Sequence, residues 1–387
     1  MDKKSGGNFA KTLPLYLSNG IVYGLNALYY CFIQIYVGNC HSEETSGVLL
    51  SIGPLVAIFA PIFWGLLADR SRSKNAVLAI SILGSAVFYF LIGLGQSFWY
   101  LAATLFLTMF FMAPFGGLVD TVTLEYTSSN RVAYGPIRIC GTLVFGLLPM
   151  LLTGFTERDI RVIFPAYVLL ALLGAAAVLL SPRVEGHGGG EKRPSMLPLF
   201  RDGRLMLIFF FVGISQFTWA YYLNYYPSRL TELGFSQSVW GVNVFLTVLG
   251  EIPFFLMFNR MFETFGLKKL LGLSLILCTL RYAGLAYLTS APLILALGLI
   301  TGFATTVFTY CGSYYITHNV APESKASANQ LMYSLGNGLP KVLAGVLGGR
   351  MTAAIGRTAS LTICSALCAA ALVVFIFSRK KLTGRLS

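Results

Sequence analysis

The chain has 387 residues, of which 56% are hydrophobic and 11% charged, with a mean hydropathy of +0.72. A soluble domain carries about 25% charged residues, so this balance excludes a water-soluble globular fold and makes a lipid bilayer the solvent. The net charge of +13 invites a nucleic-acid reading, which the placement of the basic residues then removes.

A span needs about 20 apolar residues to cross a hydrocarbon layer of about 30 Å. Twelve such runs can be drawn, at 12 to 37, 46 to 68, 75 to 95, 98 to 126, 132 to 154, 160 to 181, 205 to 227, 236 to 259, 268 to 289, 292 to 317, 326 to 349 and 357 to 378. The expected fold is all-α and polytopic, with twelve transmembrane helices. With the N-terminus inside, the inner segments hold the basic clusters around Lys3, Arg70, Arg72, Lys74, Arg183, Lys192, Arg201, Lys268 and Arg379, while the outer segments hold Arg158, Arg161, Arg229, Arg350 and Arg357. That bias orients both termini toward the cytoplasm, of a bacterial cell as the expected setting, and implies no nucleic-acid partner. The first run is too long for a signal-peptide core and no small-residue cleavage site follows it. The seven cysteines have no ligand-like spacing with His and read as packing residues. No cofactor or metal motif and no nucleophile arrangement is present, so an enzyme is not expected.

In chain order, the first span sets Asn19, Tyr23, Asn26, Tyr30 and Gln34 on one face at spacings of 4, 3, 4 and 4. Such a stripe serves either a wet cavity or a hydrogen-bonded seam between helices. The fourth and fifth spans then carry Asp120 and Arg138. A charge inside a span costs roughly 2.5 to 3.5 kcal/mol or more unless it is paired or faces water. Counted from the inner ends, the two lie at depths of roughly 10 and 9 Å at helical rise, which allows an ion pair across the hairpin. Residues 182–204 form a long hydrophilic loop whose glycine run, beside His187, reads as a flexible linker. It divides the chain into 1–181 and 205–387. The seventh span aligns Ser215, Trp219, Tyr222 and Tyr226, with Tyr225 and Tyr226 near the outer end where an interfacial aromatic belt is expected. Glu251 and Arg281 are a second embedded pair, at depths of roughly 12 and 20 Å. Lys341 either supplies a counter-charge to Glu251 or to an anionic solute, or snorkels outward.

The inner loop Gly65-Leu66-Leu67-Ala68-Asp69-Arg70-Ser71-Arg72-Ser73-Lys74 resembles the loop signature of the major facilitator superfamily, with Ser73 where that pattern has Gly. A weaker copy, with Glu263 as its acid, follows the eighth span. Tyr134-Gly-Pro-Ile-Arg138-Ile-Cys-Gly141 resembles the fifth-helix signature shared by lactose permease, the nucleoside:proton symporters and the phenylpropionate permease group. The resemblance implies two pseudo-symmetric six-helix bundles around a midplane cavity that opens alternately to each side. By the same resemblance, Asp69 with Arg70 and Arg72 would form a conformational gate. Asp120 and Arg138 would hold polar groups of a solute, lined by Tyr23, Asn26, Tyr30, Phe145, Trp219 and Tyr222. Phe145 stands where lactose permease stacks a Trp on sugar. Thr301 and Ala304 replace the tenth-helix His and Glu of lactose permease, so a coupled proton would ride on Glu251 or Asp120, with Glu251, Arg281 and Lys341 as the expected proton-coupling set. A carboxyl that gains and loses an Arg partner can take up and release a proton. The implied protein is a monomeric secondary transporter importing a sugar, nucleoside or aromatic acid by proton symport. The alternatives are a uniporter or Na⁺-coupled carrier of the same fold, or a non-transporting sensor or assembly protein.

Overall fold

A computed structural model describes residues 4–130, 132–185, 197–321 and 324–379 of the chain. Arg131, the centre of the expected linker with His187, and the basic tail from 380 lie outside the described residues. The α-helices are α1 (Lys4–Cys40), α2 (Glu43–Arg70), α3 (Lys74–Ile92), α4 (Phe98–Met112), α5 (Phe115–Asn130), α6 (Tyr134–Thr156), α7 (Ile163–Leu180), α8 (Gly203–Glu232), α9 (Gln237–Tyr287), α10 (Ala291–Asn319), α11 (Lys325–Leu331) and α12 (Leu339–Ser378). Among the described residues there is no strand, as the bilayer demands of a chain that satisfies its backbone within each segment.

Ten helical stretches of the described residues are long and apolar enough to cross a membrane. The break at Gly356 divides the last of these into two, and the first part of α9, before the break at Gly266, is a further apolar helix outside the ten, which together give the twelve expected. Helix α9 breaks at Gly266 (φ 72°) and α12 at Gly356 (φ 78°), each in the left-handed region that glycine enters without a Cβ penalty. In the opposite sense, the fourth run is interrupted between α4 and α5 at Ala113 and Pro114, because Pro114 lacks the N–H that would continue the ladder. Between α11 and α12 the chain widens into a π-helical stretch, Met332–Gly338, three residues before Lys341.

The chain forms two compact units: Met1–Cys40 with Leu55–Gly190, and His41–Pro54 with Glu191–Ser387. The continuous helix α2 contributes its first turns to the second unit and the remainder to the first. In the first unit α1 packs on α6 and α7, and α3 on α4 and α7. Tyr89 and Tyr167 stack at 4.1 Å between centroids, and the Tyr167 hydroxyl meets Ser85 at 3.0 Å. In the second unit α9 packs on α10 and α12, and α8 on α12. A Cβ at Gly250 would strike the Leu299 carbonyl, and one at Gly302 the Thr247 carbonyl. Backbones this close are the small-residue contact by which membrane helices associate, and they set Glu251 directly at the α9–α10 crossing.

Arg229, Arg350 and Arg357, expected in outer segments, make specific ion pairs. Arg357, next to the Gly356 break, pairs with both Glu43 and Glu232, Arg229 reaches Glu232 at 3.3 Å, and Arg350 reaches Glu44 at 3.1 Å. They tie the first turn of α2 to α8 and α12 within the second unit.

Candidate functional site

In the first unit, α5 and α6 bring Asp120 and Arg138 together as the sequence predicts. Arg138 Nε lies 3.7 Å from Asp120 Oδ1, with each side chain about one-third exposed. That separation is an ionic contact longer than a hydrogen bond. Tyr23 of α1 closes one side. Its hydroxyl donates to Asp120 Oδ2 at 3.5 Å, and its ring lies 4.1 Å under the Arg138 guanidinium. Arg138 Nη1 donates to Thr142 Oγ1 at 2.9 Å, one turn up the same helix, and the Tyr134 hydroxyl lies against Asp120. Asp120 Oδ1 has no hydrogen-bond donor among the described residues. The cluster is a polar, partly open constellation with a flat aromatic wall.

Gly141 explains why Tyr23 can occupy that place. A Cβ on Gly141 would sit 2.5 Å from the Tyr23 ring, closer than any real side-chain contact. The expected result for Gly141→Val is therefore displacement of Tyr23 from Arg138 and loss of solute uptake at normal membrane abundance. Uptake equal to wild type would show that the ring's position is immaterial.

The polar stripe of α1 divides. Asn19 is fully buried and donates to Thr123 Oγ1 at 2.8 Å, and Gln34 is buried as well, so the two ends are a helix seam. Tyr23 and Asn26 are half-buried and Tyr30 is 37% exposed, leaving the middle of the stripe open. Phe145 is half-buried on α6, roughly 10 Å beyond Arg138 at helical rise.

The expected gate residues lie at the surface. Asp69, Arg70 and Arg72 are exposed, and none of their side chains makes an ion pair among the described residues. Their neighbours carry the anchoring. Lys74 is buried and meets Glu125 at 2.5 Å. Asn75, also buried, donates to the carbonyls of Val178 at 3.0 Å and Pro182 at 3.2 Å and accepts from the Val184 N–H at 3.0 Å. Arg183 donates to the Arg72 carbonyl at 2.9 Å. Beside them a cavity of about 420 Å³ is lined by Glu125, Tyr126, Ser129, Asn130 and Arg183 to Glu185.

In the second unit Trp219, Tyr222 and Tyr226 of α8 form a stacked ladder, with centroids 5.4 and 5.0 Å apart and planes at 28°. Trp219 is half-buried, and Tyr222 is buried behind it. Arg281 of α9 is completely enclosed. Its guanidinium carbon lies 4.2 Å from the Tyr222 ring, 4.5 Å from Tyr282 and 5.8 Å from Trp219.

Three expectations change here. Arg281 is not ion-paired to Glu251: none of its nitrogens makes a well-aligned hydrogen bond among the described residues, and the unequal depths on their helices account for it. Tyr222 is a backing residue, its hydroxyl donating to Asn243 Oδ1 at 2.5 Å, so Trp219 alone of the two faces outward. Tyr225 and Tyr226 are 2% and 1% exposed; with Tyr225 donating to the Gly345 carbonyl at 2.9 Å, they are packing residues and no interfacial belt. Glu251 and Lys341 are half-buried, and Lys341 makes no ion pair among the described residues.

Helical spans that embed a partly open acid–base pair in one unit and an aromatic-caged arginine in the other define a polytopic membrane protein with ionisable groups inside its spans. Residues 21–361 match the model of the MFS_1 like family, and the chain belongs to that family. It is 27% identical over 321 residues to the maltose permease of Geobacillus stearothermophilus, covering 80% of this chain and 79% of that protein. It is 24% identical over 328 residues to the nucleoside permease NupG of Escherichia coli (strain K12), covering 79% and 78%. The crystal structure of the nucleoside transporter NupG superposes with a TM-score of 0.82 at 18% identity, over 95% of this chain and 99% of that one. The chain is accordingly a membrane transporter and no enzyme.

Proposed function

We propose that this transporter imports a nucleoside-like solute by proton symport with alternating access, as a monomer in a bacterial cytoplasmic membrane with both termini inside. The observation that carries the reading is the Asp120–Arg138 pair, held at 3.7 Å and one-third exposed against the Tyr23 ring. A carboxylate and a guanidinium side by side offer acceptors and donors to vicinal hydroxyls of a sugar ring. Phe145 in the first unit and Trp219 in the second are each half-buried, and each offers a π face on which a flat base can stack. A maltose permease and a nucleoside permease among the relatives support that reading. Asn26 and Tyr30 complete the open part of the α1 stripe.

Glu251, at the backbone contact of α9 and α10, takes the proton in this reading, with Arg281 and Lys341 as the fixed charges of the same unit. Asp69, Arg70 and Arg72 are proposed as charges of the conformational cycle. The test is uptake of labelled nucleosides, maltose and aryl carboxylates into proteoliposomes, with and without an inward proton gradient. Nucleoside accumulation that requires the gradient supports the reading. Accumulation of another class alone, or uptake indifferent to the gradient, overturns the substrate or the coupling respectively. Glu251→Gln is expected to abolish gradient-driven accumulation while leaving nucleoside exchange across the membrane intact; accumulation by this variant would take the proton away from Glu251.

A further inference from the structure

Arg281 is enclosed without a carboxylate partner or a well-aligned hydrogen bond among the described residues, and its contacts are with Tyr222, Tyr282 and Trp219. A cation over a ring is attracted by the ring quadrupole, and the attraction depends on the ring presenting its face. Tyr282 is the neighbour of Arg281 on the same helix and is placed by it. Tyr222 comes from α8 and is the nearest of the three, at 4.2 Å. What fixes its plane therefore fixes the cage.

A buried carboxamide supplies one such fixture. Asn243 of α9 is fully buried and its Oδ1 accepts the Tyr222 hydroxyl at 2.5 Å. Its own orientation is set from the other side, because Nδ2 donates to the Ile294 carbonyl of α10 at 3.3 Å. With both ends of the carboxamide used, the amide has one orientation that serves both partners. Its backbone carbonyl accepts from Thr247 Oγ1 at 2.9 Å, and Gly298 leaves the room beside it, since a Cβ there would lie 3.2 Å from the Asn243 carbonyl oxygen. The Trp240 ring lies 5.5 Å from that of Tyr222, tilted by 57°. Because Trp219 and Tyr226 stack on Tyr222, the tilt of one phenol sets the whole ladder.

We propose that Asn243 is a positioning residue of the second unit: it holds Tyr222 face-on to Arg281 and so fixes the height and tilt of Trp219 toward the solute. The inference rests on the reading of Trp219 as a solute-stacking residue given above, but its first test does not. Asn243 links α8, α9 and α10 through one carboxamide, so motion of α10 against α9 is transmitted to the stacking face.

The experiment compares Asn243→Leu, Tyr222→Phe and the double variant in purified, full-length protein. Leu keeps roughly the size of Asn and removes both hydrogen bonds; Phe keeps the ring and removes the tether. The first readout is the Trp219 fluorescence, taken as the difference from matched Trp219→Phe proteins. Both single variants should shift it alike, and the double variant no further. The second readout is nucleoside uptake, in which each single variant raises KM by roughly tenfold, the consequence of one lost buried hydrogen bond on a positioned group, with kcat little changed and no added loss in the double variant. An unaltered Trp219 signal in Asn243→Leu, or additive effects in the double variant, overturns the proposal. Should Asn243→Leu not fold, Tyr222→Phe alone decides, since it leaves Asn243 in place. Failure of wild type to take up nucleosides would refute the substrate class, and the fluorescence comparison alone would then decide the role of Asn243.

Discussion

Asp120→Asn is expected to lower solute uptake, normalised to the amount of protein in the membrane, by roughly 10- to 100-fold at limiting solute, since a hydrogen bond to a charged group is worth about 1.5 to 3 kcal/mol. Asp120 and Arg138 lie in membrane spans, each one-third exposed and 3.7 Å apart, so neither is a surface charge and neither is sealed. Substituting one partner strands the other inside the span, whereas substituting both removes the imbalance. Protein abundance should thus fall in Asp120→Asn or Arg138→Gln alone and recover in the double variant, while uptake stays low in all three. Recovery of uptake together with abundance in the double variant would make the pair a structural lock with no part in solute binding. Tyr23→Phe separates the contributions further, because it removes the 3.5 Å hydrogen bond to Asp120 and keeps the ring under Arg138.

The legibility of this site in the sequence follows from contrast. A carboxylate and a guanidinium amid apolar residues stand out, and helical rise alone puts Asp120 and Arg138 at matching depths. The same arithmetic puts Glu251 and Arg281 at unequal depths, and in the structure Arg281 turns to aromatic faces instead. Asn243, Asn75 and the Lys74–Glu125 pair are not legible in this way. An Asn in a span reads equally as a seam, a cavity or a cap, and Lys74 at an inner loop is already accounted for by the charge bias that orients the chain. Tyr225 and Tyr226 show the converse failure: their place near a span end suggests an interface, but Gly345 and Gly348 of α12 leave a groove in which Tyr225 is buried, and Tyr226 is buried at the end of the α8 aromatic ladder. A Cβ on Gly348 would lie 2.9 Å from both the Tyr221 and Tyr225 rings. Such a groove is made by a helix more than a hundred residues away, which no local pattern reports. The twelve crossings are readable from hydropathy. The unit boundary is less so, because α2 is one continuous apolar helix and only its packing assigns the first turns to the second unit.

Arg281→Met should raise the thermal stability of the purified protein and abolish uptake. The guanidinium is wholly enclosed in a span, with no carboxylate partner and no well-aligned hydrogen bond at its three nitrogens among the described residues. Withdrawing an ion from water retains a penalty of several kcal/mol after relaxation, and cation–π contacts return about 2 kcal/mol or more where the cation is desolvated. Met has a comparable unbranched reach, carries no charge, and its sulfur makes favourable contacts with aromatic rings. The variant therefore keeps the filling of the cage and discards the uncompensated ion, so the melting temperature rises by a few degrees. Arg281→Lys makes the opposite comparison: it retains the charge but presents a compact, strongly hydrated ammonium in place of a planar group that lies flat on rings, and it should melt below wild type. A fall in melting temperature for Arg281→Met would mean that the cage returns more than desolvation removes, and that Arg281 is held for stability. A rise, with uptake lost, places Arg281 among the ionisable residues that a membrane protein keeps against its own stability, which is the mark of a group the transport cycle uses.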